Sequence, residues 1–265
     1  MVIFVENNSV FKIKNLQFAY DTTNVINDVS FDIAKGKITT FMGANGCGKS
    51  TLFQLLTKNL HQNKGKITLQ GEDIRNIPLK EFARKVAIVH QYNTTPDDLT
   101  VEDLVRYGRT PYNKFNQSDA ERQLDNKKVE RAMKITGILR YRDRSVGNLS
   151  GGQKQRVWIA MAIAQDTKII FLDEPTTYLD VRYQLQILQL VKALNEKCGI
   201  TIVMVLHDIN QALAYSDEII AFSPKGKVIA QGPPKEVIVD EVIGGMFKIN
   251  LEITEIKGSP FVITV

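Results

Sequence analysis

One stretch of the sequence combines glycines, a lysine and two hydroxyl side chains in a spacing that suits phosphate binding. The stretch is Gly43-Ala44-Asn45-Gly46-Cys47-Gly48-Lys49-Ser50-Thr51. It fits the phosphate-binding loop pattern, in which a glycine and any four residues precede glycine, lysine and serine or threonine. Glycines let successive N–H groups point at an anion, and the following helix adds its positive end. The stretch predicts a nucleoside triphosphate site in which Lys49 meets the β- and γ-phosphates and Ser50 binds Mg²⁺.

A second group of residues with the same chemistry lies much further along the chain. Ser150-Gly151-Gly152-Gln153 opens a segment whose apolar spacing predicts a helix from Gln153 to Gln165. Serine is a favoured N-cap, and unobstructed N–H groups at a helix start attract anions. An ordinary glycine-rich cap would have the same composition. If both groups bind phosphate, one chain carries two anion sites.

Polar residues follow three predicted strands at the point where each strand ends. The strands and the residues after them are Val86–Val89 with Gln91, Ile169–Leu172 with Asp173 and Glu174, and Thr201–Leu206 with His207. Ligands of open α/β sheets bind beyond the carboxyl ends of the strands. There Asp173 suits Mg²⁺ and Glu174 suits a general base that takes a proton from water. Gln91 and His207 are candidates for contacts to the metal, the γ-phosphate or the water, with a solvent-facing glutamine and a structural histidine as the alternatives.

The amino-terminal region has the pattern of an antiparallel sheet. Residues alternate between apolar and polar in Phe11–Tyr20 and again in Val29–Ile33, which predicts two strands joined through Asp21–Asn24. Tyr20 ends the first of them. Its ring either stacks on a purine or belongs to the core.

Strand patterns are absent between Thr94 and Ser145, and helical signals replace them. A capping box starting at Ser118 predicts a long helix that continues to about Thr136. We expect the apolar stripe of this helix to be thin and its packing to be marginal. The stripe consists of Leu124, Val129 and Met133.

Length and composition are those of a large globular domain: 265 residues, 43% hydrophobic, 24% charged and a net charge of +5. The basic residues are dispersed, so no nucleic-acid partner is expected. No apolar run reaches the roughly 18 residues of a membrane span, and Met1–Glu6 lacks the basic region of a signal peptide. Cys47 and Cys198 are too few for a disulfide framework, which favours a reducing cytoplasm.

Together these residues resemble the ATPase subunits of ABC transporters over about residues 10–232. The ordered set that carries the resemblance is Tyr20, residues 43–51, Gln91, Leu149–Gln153, Ile169–Glu174, Leu179-Asp180 and His207. The resemblance implies an α/β fold: a P-loop NTPase with an ABC-type RecA-like core and an N-terminal antiparallel β subdomain. It also implies an α-helical subdomain inserted at about residues 94–150 and a C-terminal extension, residues 233–265, packed on the same domain.

The resemblance further implies that two copies face head to tail as a homodimer. Each ATP then lies between the phosphate loop of one copy and Ser150–Gln153 of the other, which would explain two anion sites in one chain. Tyr20 would stack on adenine, and Asp180 would cross the dimer interface. Glu174 would polarise the attacking water.

In the same family pattern, His207 would hold the water and Gln91 would sense the γ-phosphate and signal to a partner subunit. The enzyme would be an ATPase that uses ATP and Mg²⁺ and has intact catalytic positions.

A finer resemblance concerns the importers of ferric siderophores, haem and cobalamin. It rests on Leu99–Val105, Tyr107–Tyr112, Pro175–Asp180 and His207–Ala212. It implies an ATPase peripheral to the cytoplasmic face of the membrane, with permease subunits, an extracytoplasmic substrate-binding protein and an iron–siderophore cargo. Haem or cobalamin import is the alternative. A soluble ABC ATPase acting in DNA repair or translation would need a coiled-coil insert or a second ATPase domain, and the sequence has neither.

Overall fold

The computed structural model describes residues 9–114, 116–249, 251–256 and 259–263. The expectation that the first six residues form no signal peptide falls outside this range. The chain divides into two compact units. The first unit combines the residues up to Ile77 with those from Val203 onward, and the second unit runs from Pro78 to Ile202.

Strands occur in both units and at the boundary between them. They are β1 Ser9–Tyr20, β2 Thr23–Ala34, β3 Ile38–Gly43, β4 Lys64–Leu69, β5 Glu72–Asp73, β6 Val86–Val89, β7 Ile169–Leu172, β8 Thr201–Val205, β9 Glu218–Phe222, β10 Val228–Gly232, β11 Glu252–Ile256 and β12 Ser259–Ile263.

Helices alternate with these strands along much of the chain. They are α1 Lys49–Leu56, α2 Leu79–Lys85, α3 Val101–Arg106, α4 Asp119–Ile135, α5 Gly151–Ala164, α6 Val181–Cys198, α7 Ile209–Tyr215, α8 Pro234–Val237 and α9 Asp240–Phe247. Among the residues described, we find no helix with the length and apolar character needed to cross a membrane.

In the first unit, the predicted amino-terminal hairpin is present. β1 and β2 pair antiparallel, and their strands lie in a sheet of order β2-β1-β4-β5. Phe11 and Ile13 alternate onto the buried face, and a register shift after Ile13 brings Leu16 to burial as well, each of the three being at most 1% exposed. The connection is tighter than expected, because the strands are paired up to Tyr20 and Thr23.

The first unit also contains neighbouring strands in the order β10-β9-β3-β8. β3 and β9 are parallel, with Thr39 opposite Glu218, and β9 and β10 form an antiparallel hairpin. Every residue of β3 is buried. The rings of Phe31, Phe41 and Phe222 pack edge to face with centroids 5.8 to 6.4 Å apart. This apolar cluster holds the end of β3, from which the phosphate-binding stretch departs.

The carboxyl-terminal residues of the first unit form more helix than expected. The sequence indicates one helix and a strand pair, whereas the structure has α8, α9 and the antiparallel hairpin β11–β12. Ile243 and Met246 of α9 are fully buried. This stretch therefore contributes to the core of the first unit.

In the second unit, β6 and β7 are parallel, and helices α3, α4 and α5 enclose a separate apolar cluster. The capping box at Ser118 is present, with Glu121 as its partner. The expected apolar stripe is wrong at Leu124, which is 50% exposed. Val129 and Met133 are fully buried, and the cluster also receives side chains from α3 and α5. Marginal packing of this region was therefore the wrong expectation.

The next residue explains why Leu124 is exposed, because α4 buries the carboxylate of Asp125 in its place. Asp125 accepts a hydrogen bond from Arg109 Nε at 2.7 Å and another from Gln117 Nε2 at 2.6 Å. Arg109 also donates to the Ala164 carbonyl at 2.8 Å, and its guanidinium lies 3.9 Å from the centroid of the Tyr112 ring. A buried ion pair is tolerated only when its hydrogen-bonding groups are satisfied in this way.

Removing one member of this pair is expected to destabilise the protein strongly. Asp125→Ala leaves the Arg109 guanidinium buried without its carboxylate, which typically costs about 3–5 kcal/mol of unfolding free energy. Urea unfolding of the purified protein measures the loss. Glu130→Ala is the matched control on the same helix, because the Glu130–Lys134 pair is exposed and should contribute little. Equal losses in the two variants would contradict this account of the buried pair.

Candidate functional site

The phosphate-binding stretch lies in the first unit, between the buried strand β3 and helix α1. The helix starts after Gly48, whose φ is +100°, a conformation that side chains disfavour. No side chain caps the first turn of α1, and the turn contains no acidic residue. No capping side chain of α1 therefore occupies these N–H groups, and N–H groups at a helix start that are left open in this way can bind an anion.

Lys49 is held against the loop by main-chain oxygens. Its ammonium group donates to the Gly43 carbonyl at 2.7 Å and to the Ala44 carbonyl at 3.0 Å. The residue is only 5% exposed. These contacts fix the positive charge within the loop, where it adds to the field of the helix start.

Close packing explains why glycine occupies two loop positions. A Cβ atom on Gly43 would lie 2.7 Å from the Phe222 carbonyl oxygen, and one on Gly48 would lie 2.9 Å from the Ile26 side chain. The Cys47 side chain points inward and is 1% exposed. Burial raises the pKa of its thiol, against the opposing effect of nearby Lys49. Cys47 can therefore contact a nucleotide only through its backbone.

The exposed members of the stretch are Asn45, Gly46 and Ser50, while Thr51 is half-buried. Tyr20, also in the first unit, is 46% exposed and packs edge to face on Phe18 with centroids 4.8 Å apart. The exposure excludes the core alternative for Tyr20. A supported ring with an open face is suited to stacking on a purine.

His207, the remaining candidate of the first unit, follows β8 and is exposed. The next residue, Asp208, caps α7 by accepting a hydrogen bond from the Gln211 N–H at 2.9 Å. The capped helix start fixes the backbone that carries the imidazole.

In the second unit, the structure brings Gln91 and Glu174 together, although they are far apart in sequence. Gln91 Nε2 donates to Glu174 Oε2 at 2.6 Å, and the Thr177 hydroxyl donates to the same oxygen at 3.0 Å. The backbone of Glu174 has φ +49°, a left-handed conformation that is unusual for a residue with a side chain. The carboxylate is thereby oriented by two donors. Thr177 was missed by the sequence analysis, although a hydroxyl three residues after a candidate base is a usable signal.

Asp173 lies beside this pair at the end of β7. Its N–H donates to the Val89 carbonyl at 2.9 Å, and the residue is 8% exposed. A second missed contact joins the exposed rings of Tyr92 and Tyr178, whose hydroxyls are 2.8 Å apart. Both tyrosines directly follow segments that carry candidate residues, so the contact links those segments.

The second predicted helix start is also in the second unit and is capped from both sides. Ser150 Oγ accepts from the Gln153 N–H at 3.4 Å, and Gln153 Oε1 accepts from the Ser150 N–H at 3.0 Å. The Gln153 side chain also donates to the Tyr141 hydroxyl at 3.1 Å. Ser150 and Gly151 are exposed, and the serine hydroxyl keeps its own proton to donate.

Gly152 allows α5 to approach α6 at this helix start. A Cβ atom on Gly152 would lie 2.6 Å from Tyr183 Cδ1 and 2.7 Å from its Cγ. Asp180 caps α6 by accepting from the Tyr183 N–H at 3.0 Å. The structure thus brings Ser150–Gln153 and Asp180 to two adjoining helix starts within the second unit.

The family model described as ABC transporter matches residues 26–177, which is more than half of the chain. The chain belongs to the ABC transporter family. It is an ATP-binding subunit, and its chemical activity is ATP hydrolysis that powers transport. The match includes the phosphate loop and the start of α5 at Ser150–Gln153, and it ends before Asp180 and α6.

Relatives resemble the chain over nearly its full length. The "Probable siderophore transport system ATP-binding protein YusV" of Bacillus subtilis is 42% identical, and the alignment covers 96% of this chain and 92% of the relative. The petrobactin import ATP-binding protein FpuD of Bacillus anthracis is 44% identical, with 91% and 87% covered. A solved structure described as an inward-facing metal-chelate type ABC transporter has a TM-score of 0.80 and 29% identity, with 96% of each chain covered.

We expect the glycine of the second helix start to be required for packing. Gly152→Ala forces a methyl group into the Tyr183 ring and should lower the free energy of unfolding by about 1–3 kcal/mol. Gly151→Ala is the control, since its Cβ would lie 3.7 Å from Leu179, an ordinary contact distance. Thermal unfolding compares the two. A Gly152→Ala protein as stable as the control would exclude the close contact as the reason for glycine.

Proposed function

We propose that the chain powers uptake of a ferric siderophore by binding and hydrolysing Mg-ATP at the interface of a head-to-tail homodimer. The observation that carries the proposal is the presence of two separate helix starts with phosphate chemistry, one after Gly48 and one after Ser150. One ATP needs a single phosphate loop. A second helix start is accounted for if it closes over the nucleotide of another copy.

In this proposal the first unit holds the nucleotide. The backbone N–H groups of residues 43–51 surround the phosphates, and the Lys49 ammonium shifts from its carbonyl partners to the β- and γ-phosphates. A phosphate oxygen carries more charge than a carbonyl oxygen, which favours that exchange. The exposed ring of Tyr20 stacks on adenine.

We propose Mg²⁺ as the metal because the candidate donors are hard oxygen atoms. Ser50 contributes an exposed hydroxyl at the start of α1. In the second unit, Asp173 contributes a carboxylate, and Gln91, whose Nε2 is engaged by Glu174, presents its amide oxygen. When bound, Mg²⁺ neutralises charge that develops on the phosphates.

Glu174 is the proposed general base. Two donors on one of its oxygens hold the carboxylate in a single orientation, which a base needs in order to meet a water molecule. His207 is proposed to hold the same water and the γ-phosphate. Gln91 bonds directly to the base, so a change of its position on contact with the γ-phosphate would reorient Glu174.

The second copy in the dimer is proposed to contribute Ser150–Gln153 and Asp180. The capping box leaves the Ser150 hydroxyl proton and the first N–H groups of α5 to meet a γ-phosphate. Asp180 adjoins this helix start through the Tyr183 contact and is proposed to cross the interface.

The cargo and partners are proposed from the relatives. The names of two relatives contain siderophore transport and petrobactin import, and the matching structure is of a metal-chelate type. We propose permease subunits and an extracytoplasmic substrate-binding protein as partners, with this subunit peripheral at the cytoplasmic face of the membrane. Haem or cobalamin is the alternative cargo.

Glu174→Gln tests the chemistry. The amide keeps an oxygen to accept from Gln91 and Thr177 but cannot take a proton, so turnover should fall by about 10²–10⁴. Nucleotide binding should persist, and ATP should trap a dimer visible by size-exclusion chromatography. Glu196→Gln, which removes an exposed glutamate from α6, controls for the charge change. Normal phosphate release by Glu174→Gln would refute the base assignment.

Uptake of labelled compounds by whole cells tests the cargo. In the source organism with its own gene deleted, the wild-type chain should restore ferric siderophore uptake, and Glu174→Gln should not, because transport depends on hydrolysis. Haem and cobalamin uptake should be the same in all strains. Loss of haem or cobalamin uptake, with siderophore uptake intact, would favour the alternative cargo.

A further inference from the structure

The carboxyl-terminal hairpin β11–β12 packs against α7, the helix that follows His207. Asn210, in the first turn of α7, forms two hydrogen bonds with the backbone of one residue of β12. Its Nδ2 donates to the Val262 carbonyl at 2.9 Å, and its Oδ1 accepts from the Val262 N–H at 2.8 Å. A single carboxamide thus satisfies both polar groups of Val262, whose residue is 1% exposed.

The register of the hairpin explains why these groups are available. Val262 lies opposite Ile253 of β11. In an antiparallel pair, opposed residues alternate between those that bond across the pair and those whose N–H and C=O point outward. Val262 is of the outward kind, and Asn210 occupies the place of a further strand. To bond both the N–H and the C=O of Val262, a side chain must present one acceptor and one donor side by side, as a carboxamide does.

The contact reaches His207 through a short, fixed path. Asp208 caps the same turn of α7, and Ile209 and Ala212 anchor the helix in the core at 8% and 0% exposure. His207 immediately precedes the cap. The hairpin therefore fixes the turn whose backbone leads directly to the imidazole.

The hairpin follows a helix that is anchored in the core. α9, which precedes it, buries Ile243 and Met246 in the core of the first unit and ends at Lys248 with φ +57°. Within the hairpin, Val262 is 1% exposed, and it is seated where β12 meets α7.

We propose that Asn210 is a positioning residue for ATP hydrolysis and that the carboxyl-terminal hairpin, through it, sets the orientation of His207. The proposal rests on the role of His207 in the proposed function. Asn210 touches neither nucleotide nor water in this account. It acts by preventing the first turn of α7, and with it His207, from shifting when the γ-phosphate is absent or leaves.

Steady-state ATP hydrolysis by the full chain tests the proposal with Asn210→Ala. We expect kcat to fall roughly fivefold to thirtyfold, which corresponds to about 1–2 kcal/mol of activation free energy. KM for ATP should change less than twofold, because the phosphate loop is untouched. Asn210→Asp retains the acceptor for the Val262 N–H and loses the donor, so its kcat should lie between those of the wild type and Asn210→Ala.

The double variant His207→Ala/Asn210→Ala decides between positioning and an independent role. If Asn210 acts through His207, the double variant hydrolyses ATP as fast as His207→Ala alone. A multiplicative loss, or an unchanged kcat in Asn210→Ala, would overturn the proposal. Full activity of His207→Ala would instead reject the assigned role of His207, so failure of the proposed function is recognised separately.

Asn195→Ala is the control for a general loss of stability. It removes a similar hydrogen bond in the second unit, from the Asn195 carboxamide to the Ile200 carbonyl at 2.8 Å. It should show a comparable Tm loss with unchanged kcat. Hydrogen exchange supplies a direct readout: the Val262 amide should exchange faster in Asn210→Ala and stay protected in Asn210→Asp. If Asn210→Ala fails to fold, the double cycle is run with Asn210→Asp, and an additive result there equally overturns the proposal.

Discussion

Close packing leaves no room for a side chain at glycines of two helix starts, and this constraint shapes the elements around the proposed phosphate sites. At Gly43 and Gly48 the neighbouring backbone and side chains leave no room for a Cβ atom, and at Gly152 the Tyr183 ring excludes one. The packing that forbids a side chain also holds the N–H groups in place. Donors fixed in advance need not reorganise when an anion arrives, which is how preorganised sites gain strength. The buried strand β3 and helices α5 and α6 are the supports.

Around these rigid helix starts, the polar side chains are held by contacts between distant segments. Glu174 receives hydrogen bonds from Gln91 and Thr177, and the turn carrying His207 is joined to the carboxyl-terminal hairpin. In each case a carboxamide links the candidate residue to another segment. Carboxamides donate and accept at once, so they couple segments without adding charge to a site that must attract a polyanion.

Local chemistry made much of this predictable from sequence. The hairpin β1–β2, the strand and helix on either side of the glycine-rich loop, the capping box at Ser118 and the N-cap at Ser150 depend on neighbouring residues and were confirmed. The burial of Asp125 in place of Leu124 was missed, because its partner Arg109 lies on another segment and helical periodicity assumes that charges face solvent. The contacts of Glu174 and Asn210 depend in the same way on residues distant in sequence. Spacing within one segment carries no information about such partners.

The division of the chain has a consequence for the order of folding. The second unit is one continuous stretch, whereas the first is assembled from residues on both sides of it. A ribosome releases the chain from its amino end at about 5–20 residues per second, so residues 78–202 emerge complete before β9 exists to pair with β3. The phosphate loop is translated early, but Phe222, which packs against Gly43 of this loop, is translated late. In a nascent chain the packing around Gly43 is therefore incomplete until residue 222 has been translated.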